Sequence, residues 1–191
     1  MTVDAFKSFS KKQLILLNWW TDSSPYKNRD AIICDGSVRS GKTVCMFLSF
    51  IFWAFYMFSD SSFAVCGKTI TSLRRNIITP MLPMLRSLGF TYEELVSKNM
   101  IIIKKDGREN RFYIFGGKDE GSAALIQGMT LSGVMLDETA LMPRSFCEQA
   151  IARCSVDNSR LWFNCNPENP GHWFYVEWIK KARERNILYL H

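Results

Sequence analysis

The sequence lacks the features of a zinc protein. Its 191 residues include two histidines, and its six cysteines are scattered without a Cys-x-x-Cys pair. Structural zinc sites combine such pairs with further Cys or His ligands at short spacings. Several of the cysteines lie inside apolar runs, where cysteine behaves as a small buried residue. We therefore expect reduced thiols in the core and a reducing compartment.

The sequence also lacks a segment that could cross a membrane. The longest apolar run, Val44–Phe58 (VCMFLSFIFWAFYMF), has about 15 residues, whereas a membrane-spanning helix needs about 20. The N-terminal stretch MTVDAFKSFSKKQ has no apolar core of the kind found in signal peptides. We therefore expect a cytoplasmic protein with no membrane partner.

No repeat, low-complexity tract or linker divides the chain. With 47% hydrophobic and 14% aromatic residues, the composition is sufficient for one well-filled core, so we expect residues 1–191 to form a single domain. The net charge of +6 fits a nucleic-acid partner, but many proteins without such a partner are equally basic.

Short apolar runs alternate with helical stretches, which is typical of an α/β fold with a mainly parallel sheet flanked by helices. Strands are predicted at Ala31–Asp35, Phe63–Gly67, Met100–Ile103, Arg111–Phe115, Gly133–Asp137 and Leu161–Asn164. Helices are predicted at Lys11–Trp20, Lys42–Phe58, Ser72–Ser87, Arg144–Ala152 and Trp173–Arg185. The turn Asp106-Gly107, in KKDGREN between the third and fourth strands, predicts a hairpin and an antiparallel extension of the sheet.

The segment GSVRSGKT matches the phosphate-binding pattern G-x-x-x-x-G-K-[ST], with a predicted strand before it and a predicted helix after it. Gly36 and Gly41 let the backbone curve so that its N–H groups face phosphate, and the helix adds its positive end. Lys42 is expected to reach the β- and γ-phosphates, and the Thr43 hydroxyl is expected to ligate Mg²⁺. The predicted loop is completed by Ser37, Val38, Arg39 and Ser40.

A second motif, GVMLDETA, places four apolar residues before Asp137 and Glu138. A hydrophobic strand that delivers an aspartate beside a phosphate loop is the Walker B arrangement, in which the carboxylate holds the Mg²⁺ shell. The next glutamate is placed to polarise a water molecule against the γ-phosphate. Alone, the motif would be an ordinary acidic strand end. With the phosphate loop it predicts an ATPase of the additional-strand, catalytic-glutamate (ASCE) class, and the absence of a guanine-reading Asn-Lys-x-Asp segment argues against a GTPase.

A third segment, LWFNCNPENPGHWFYVEWI, begins as a strand and breaks at Asn166-Pro167. Asn164 and Asn166 would then lie beside the γ-phosphate, where an amide side chain can donate to phosphate and accept from water. The same segment is compatible with a proline-rich turn followed by an aromatic core cluster. The residues alone do not separate these two interpretations.

In this order, the segments resemble the large terminase subunit of tailed bacteriophages, the motor that packages double-stranded DNA into proheads. The similarity is carried by SKKQLILLNWW, GSVRSGKT, IQGMTLSGVMLDETALMP and NCNPENPGHWFYVEWI, over essentially the whole chain. It implies an ATPase that uses ATP and Mg²⁺ to power DNA translocation. It also implies a homo-oligomeric ring on the portal protein, contact with the small terminase subunit, and a location in the host cytoplasm.

The resemblance also implies roles for individual residues. Gln13 matches the family's adenine-reading glutamine, and Arg39 matches its loop arginine, which contacts phosphate in some states and reports nucleotide occupancy. Asn164–Asn166 falls on the motif that links hydrolysis to movement. Because family members differ in that motif, the roles within it stay open. The ATPase residues of the family match Lys42, Thr43, Asp137 and Glu138.

Three arginines each have two interpretations. Arg153, in AIARCS, could reach the nucleotide of a neighbouring subunit as a catalytic arginine finger, or it could be a surface or salt-bridged residue. Arg74 and Arg75, in SLRRN, could contact DNA or another subunit, or they could lie on a solvated helix face.

Full-length large terminases also carry a C-terminal nuclease domain with clustered aspartates that bind metal. No second acidic cluster follows the ATPase motifs in these 191 residues, so we expect no DNA cleavage by this chain. Two other functions stay open. One is another ASCE-type DNA motor such as a helicase, whose further nucleic-acid motifs are not found. The other is a nucleotide-binding assembly module without turnover, against which the intact Lys42, Asp137 and Glu138 argue.

Overall fold

The structure, a computed structural model, describes residues 9–36, 41–166 and 169–191. The helices in this part of the chain are α1 (Lys11–Asn18), α2 (Lys42–Met57), α3 (Ile70–Leu73), α4 (Thr79–Ser87) and α5 (Arg144–Ala152). The strands are β1 (Ala31–Asp35), β2 (Ser61–Gly67), β3 (Thr91–Leu95), β4 (Met100–Lys105), β5 (Arg108–Gly116), β6 (Gly133–Leu136), β7 (Arg160–Cys165) and β8 (Ile187–Leu190). Wider π-helical segments lie at Arg74–Ile78 and Tyr175–Ile179, and 3₁₀ turns lie at Val96–Lys98, Glu120–Ile126 and Thr139–Leu141.

These strands form one sheet in the order β3-β4-β5-β2-β6-β7-β1-β8. The six neighbouring strands β5, β2, β6, β7, β1 and β8 are all paired in parallel. The two remaining pairs, β3 with β4 and β4 with β5, are antiparallel. The predicted α/β fold with a mainly parallel sheet is therefore confirmed. The predicted hairpin is confirmed as well, because β4 and β5 are joined at Asp106 and Gly107, whose φ angles of 50° and 77° suit a tight hairpin turn.

The core lies on both faces of the sheet. Along β1, Ile32 packs in the cluster around α2, whereas Ile33 packs in the cluster around α5, because successive side chains of a strand point to opposite faces. Helix α2 packs tightly on the sheet at Gly133, where an added Cβ atom would be 2.7 Å from the ring of Trp53. The continuous apolarity of the central strands thus reflects burial on two sides, as predicted.

The apolar run at the start of α2 belongs to this core. Its residues from Cys45 to Ile51 are buried, and no helix among the described ranges is long and apolar enough to cross a bilayer. All six cysteines are free thiols, and all but Cys154 are buried. Burial raises the pKa of Cys165 to about 12, so this thiol stays protonated.

Two strands, β3 and β8, are not predicted from the sequence. The edge strand β3 (TYEEL) is mostly exposed, so its sequence does not need the apolar run by which a buried strand is recognised. The strand β8 (ILYL) has four residues and, within the described ranges, pairs with β1 alone. The other predicted strands are found with ends that differ by up to three residues, and Asp137 follows β6 rather than ending it.

Two predicted helices are less regular than expected. The helix predicted at Ser72–Ser87 consists of α3, a π-helical segment and α4, because Pro80 and Pro83 lack N–H donors and crowd the preceding turn. The helix predicted at Trp173–Arg185 begins at Trp173 but ends early, because the π-helical segment Tyr175–Ile179 is followed by turns. The wide turn lets Trp178 pack on the Phe163 ring, with centroids 4.9 Å apart.

The end of α2 is fixed by a buried amide from β5. The Asn110 Nδ2 atom donates to the carbonyl oxygens of Ala54 and Phe58, at 3.4 and 3.2 Å. Its Oδ1 atom accepts from the backbone N–H of Ser61 at 3.0 Å. The last carbonyls of a helix have no partner within the helix, so this side chain both caps α2 and ties it to β2.

Replacing Asn110 with leucine is expected to lower the free energy of unfolding by about 2–4 kcal/mol, because the Ser61 N–H and the Phe58 carbonyl lose this hydrogen bond and the Ala54 carbonyl keeps only its bond from the Phe58 N–H. Urea denaturation followed by circular dichroism measures the change. Asn76→Ala, at an exposed position, is the control and should change stability by less than about 0.5 kcal/mol. Equal, small effects of both substitutions would contradict the capping role of Asn110.

Candidate functional site

Three adjacent strands bring the predicted motifs together. Strands β6, β7 and β1 are neighbours in the sheet and run parallel, so their carboxyl ends lie at one edge. Gly36 follows β1, Asp137 follows β6, and Asn164 lies near the end of β7 between them. Open parallel sheets bind their ligands at this edge.

The phosphate loop is described at both of its ends. Gly41 has a φ of 75°, and an added Cβ atom there would be 3.0 Å from Gln13 Nε2. The left-handed backbone conformation therefore favours glycine, and the short distance shows that the Gln13 side chain lies against the loop. The predicted residues Ser37, Val38, Arg39 and Ser40 lie outside the described residues.

The Lys42 ammonium group is held by two oxygen atoms. Its Nζ atom donates to the carbonyl oxygen of Gly36 and to Asn166 Oδ1, the latter at 2.9 Å. Asn166 directly follows β7, so this contact joins the third motif to the phosphate loop. A lysine placed in this way is available as a point charge for a phosphate group.

Gln13 is oriented by a capping box at the start of α1. Its Oε1 atom accepts from the Ser10 backbone N–H at 2.8 Å, and its own backbone N–H donates to Ser10 Oγ at 3.2 Å. This arrangement directs Nε2 towards Gly41. A cavity of about 210 Å³ between α1 and the ends of β1 and β8 is lined by Gln13, Gly36 and Lys42.

The two residues predicted to bind Mg²⁺, Thr43 and Asp137, both contact the same amide nitrogen. Asn164 Nδ2 is 2.6 Å from Asp137 Oδ1 and 3.0 Å from Thr43 Oγ1. A carboxylate and a hydroxyl are the hard oxygen donors that suit Mg²⁺, so the chemistry of this pair fits the ion. No cluster of three His, Cys, Asp or Glu side chains occurs in the described ranges. Water and phosphate would therefore complete the ligand set, as is usual for Mg²⁺ with a nucleotide.

The ionised form of the Asp137 carboxyl group is disfavoured by its burial. It is 9% exposed, and this burial is the main reason why its pKa is raised to about 6. The Asn164 hydrogen bond and the charge of Lys42 oppose the shift, whereas the charge of Glu138 adds to it. A cation bound at this carboxylate would relieve the penalty, because opposite charge favours the ionised form.

Glu138 has an unusual backbone conformation. Its φ and ψ angles of 52° and 49° are left-handed, which is uncommon for a residue other than glycine and is often found at functional sites. The buried Thr139 hydroxyl stabilises the turn, since it lies 3.2 Å from the carbonyl oxygens of both Leu136 and Asn164. The Glu138 side chain is left exposed at the sheet edge.

Two residues of this region were not among the predicted site residues. One is Thr139, described above. The other is Asp35, a buried residue that lines the cavity and accepts from the Tyr189 hydroxyl at 2.7 Å; its Oδ1 atom has no hydrogen-bond partner among the described residues. Burial, followed by this hydrogen bond, raises the pKa of Tyr189. The sequence signal is a charged residue that ends an apolar strand directly before Gly36.

Arg153 is not part of this site in its own subunit. Its carbonyl oxygen accepts from the Leu131 N–H at 2.8 Å, beside the amino end of β6 and therefore at the opposite sheet edge. Its Nε atom is buried and has no hydrogen-bond partner in the part of the chain that the structure describes. Arg74 forms an ion pair with Glu94 at 3.1 Å, and Arg75 is exposed.

The family can be assigned once the fold and the motifs are taken together. Residues 33–187 match the family model described as terminase large subunit, T4likevirus-type, N-terminal. The chain belongs to the terminase large subunit family. This finding confirms the predicted resemblance.

The terminase chain is also similar to solved structures. The large terminase from a thermophilic bacteriophage is 53% identical with a TM-score of 0.93, over 97% of this chain and 46% of that one. Its complex with ADP matches at 52% identity and a TM-score of 0.93, over 96% and 45%. Its complex with ATP-gamma-S matches at 50% identity and a TM-score of 0.91, over 96% of this chain and 44% of that one.

The terminase chain therefore spans less than half the length of these thermophilic-phage structures. None of the curated proteins compared with it matches. The near-complete coverage of this chain confirms the predicted ASCE-type P-loop fold.

Removing the Asp137 charge is expected to stabilise the nucleotide-free terminase chain in a pH-dependent way. Because the folded pKa of about 6 exceeds the ordinary value of 3.8, the folded state binds more protons between these values, and stability falls as pH rises. Asp137→Asn should add up to about 3 kcal/mol at pH 8 and about half of that at pH 5.

Urea denaturation in EDTA at the two pH values measures this effect. Asp157→Asn, which removes an exposed carboxylate, is the matched control and should give no comparable gain. An Asp137→Asn gain that is the same at both pH values would show that charge burial is not its cause.

Proposed function

We propose that this terminase chain is the ATP-hydrolysing motor domain that powers translocation of double-stranded DNA into the procapsid. The observation that carries the proposal is the meeting of Lys42, Thr43 and Asp137 at the carboxyl ends of adjacent strands, with Glu138 next to them. The ADP and ATP-gamma-S complexes of the thermophilic-phage terminase support a nucleotide as the ligand.

Each of these residues has a distinct task. Lys42 exchanges its contact with Asn166 for the β- and γ-phosphates. Thr43 and Asp137 hold Mg²⁺, which supplies neutralisation of the phosphate charge. Glu138 accepts a proton from the attacking water molecule, and its exposed position at the sheet edge leaves room for that water.

The nucleotide base is expected to enter the cavity beside α1. This cavity adjoins the phosphate loop and is lined by Gln13 and Leu16, which offer an amide for base edges and an apolar side chain. Gln13 is proposed to read adenine. The phosphate-loop role of Arg39, contact with phosphate and a report of nucleotide occupancy, is proposed from the family alone.

The macromolecular partners are proposed from family membership as well. They are double-stranded DNA, the portal protein, the small terminase subunit and further copies of the chain in a ring. The net charge of +6 is compatible with a DNA partner. The location that follows is the host cytoplasm, and residues 1–191 are proposed to act as one ATPase domain without nuclease activity.

The ATPase proposal is tested with Glu138→Gln. This substitution is expected to lower the steady-state rate of ATP hydrolysis by about 10² to 10⁴, because the general base is lost, while ATP-gamma-S binding stays within a few-fold. Glu148→Gln, which changes an exposed glutamate on α5, is the matched control with unchanged turnover. Equal rates for the wild type and Glu138→Gln would identify a nucleotide-binding module without catalysis.

The arginine-finger proposal for Arg153 needs assembled motors. Arg153→Ala is expected to lower ATP turnover in the ring by about 10³ or more, without affecting nucleotide binding by the separate chain, since this residue lies far from its own site. Rings that mix Arg153→Ala and Glu138→Gln subunits should regain turnover, because intact sites then face intact arginines. Mixed rings as inactive as each variant alone would exclude the finger, and Arg183→Ala, at an exposed arginine, is the control.

A further inference from the structure

The side-chain amide of Asn164 bridges Asp137 and Thr43, the two residues proposed to bind Mg²⁺. We propose that Asn164 is a placeholder for the divalent cation: its side chain bridges Asp137 and Thr43 until Mg²⁺ arrives with the nucleotide, and it must then move away. The inference rests on the proposed function, because it assigns a regulatory step to the same site.

The geometry shows why the amide and a cation exclude each other. One nitrogen atom, Asn164 Nδ2, is within hydrogen-bond distance of both Asp137 Oδ1 and Thr43 Oγ1, at 2.6 and 3.0 Å. An amide nitrogen has two hydrogen atoms, so it can donate one to each oxygen. A magnesium ion contacts its oxygen ligands at about 2.0–2.1 Å. A magnesium ion that approaches the two oxygens from the side of Nδ2 would therefore overlap with the amide, so the amide has to leave before the ion can bind there.

The burial of the site explains the need for a placeholder. Asn164 is 6% exposed and Asp137 is 9% exposed, so water has little access to the carboxylate. A buried carboxylate needs donors, and here the neutral Asn164 amide adds to the hydrogen bond from the Glu138 backbone without adding a charge. The asparagine thus keeps the site intact in the absence of nucleotide.

The movement is confined to the side chain of Asn164. Its backbone pairs with Cys34 of β1, and its carbonyl oxygen accepts from the Thr139 hydroxyl at 3.2 Å. These contacts hold β7 in register while the amide rotates. The displaced amide gives up both of its present partners, Asp137 Oδ1 and Thr43 Oγ1, so its position reports whether the metal is bound.

The second asparagine has a separate task. Asn166 Oδ1 accepts from Lys42 Nζ at 2.9 Å, so it stands where a phosphate oxygen would bind this lysine. Residues two apart along an extended chain lie on the same side, and both amides therefore face the nucleotide site. Asn164 is displaced by the metal, whereas Asn166 is displaced by the phosphate.

The test uses the side-chain amide NMR signals of the wild-type chain. Addition of ATP-gamma-S in EDTA is expected to shift the signal of Asn166, and later addition of Mg²⁺ is expected to shift that of Asn164. An Asn164 signal that is insensitive to Mg²⁺ while nucleotide is bound would overturn the placeholder role. This titration does not depend on the folding of any variant.

A second measurement compares nucleotide affinity with and without Mg²⁺. In Asn164→Ala, the ratio of Mg²⁺·ATP-gamma-S affinity to metal-free ATP-gamma-S affinity is expected to rise about tenfold, because no amide has to be displaced. In the matched variant Asn166→Ala, both affinities should change together, so the ratio stays as in the wild type.

The outcomes also separate this inference from the proposed function. A lower ratio in Asn164→Ala would overturn the inference, because it would show that the amide supports the metal-bound state. An equal rise of the ratio in both variants would overturn the division between the two asparagines. If no form of the chain binds ATP-gamma-S, the proposed function fails together with the inference.

Discussion

The parallel pairing of β7 between β1 and β6 is the constraint on which the site depends. Each of these strands is buried on both faces, and their register places Cys34 opposite Asn164 and Leu136 opposite Phe163. A slip of one residue would turn every side chain of β7 to the other face. Asn164 would then leave the space between the phosphate loop and the Walker B acid, and the contacts between these motifs would be lost.

A buried hydroxyl group links the elements beneath the site. Ser49, in the middle of α2, accepts from the indole N–H groups of Trp20 and Trp162, both at 3.2 Å. These tryptophans lie just after α1 and in β7, so one core contact joins the elements that carry Gln13, Lys42 and Asn164. Because close-packed interiors transmit displacements, a change at one of these elements is felt by the other two.

The sequence predicts the parts of the fold that have strong local signals. The apolar strand β1, the glycine-framed loop and the acidic end of β6 all follow from patterns within a few residues. The edge strand β3 and the short strand β8 have no such signal, and the contact between Asp35 and Tyr189 depends on β8. The left-handed backbone of Glu138 and the bridge made by Asn164 could not be predicted either, because they depend on how distant segments pack.

The unfavourable features of the fold are concentrated where a nucleotide would relieve them. Asp137 has a raised pKa through burial, Glu138 has a strained backbone, and Lys42 is satisfied by a neutral amide instead of an anion. A cation at Asp137 and a phosphate at Lys42 would each replace a weak partner with an opposite charge, which strengthens the interaction in a site of low dielectric. Nucleotide binding therefore has free energy available for displacing the Asn164 and Asn166 amides, while the sheet beneath them keeps the catalytic groups in place.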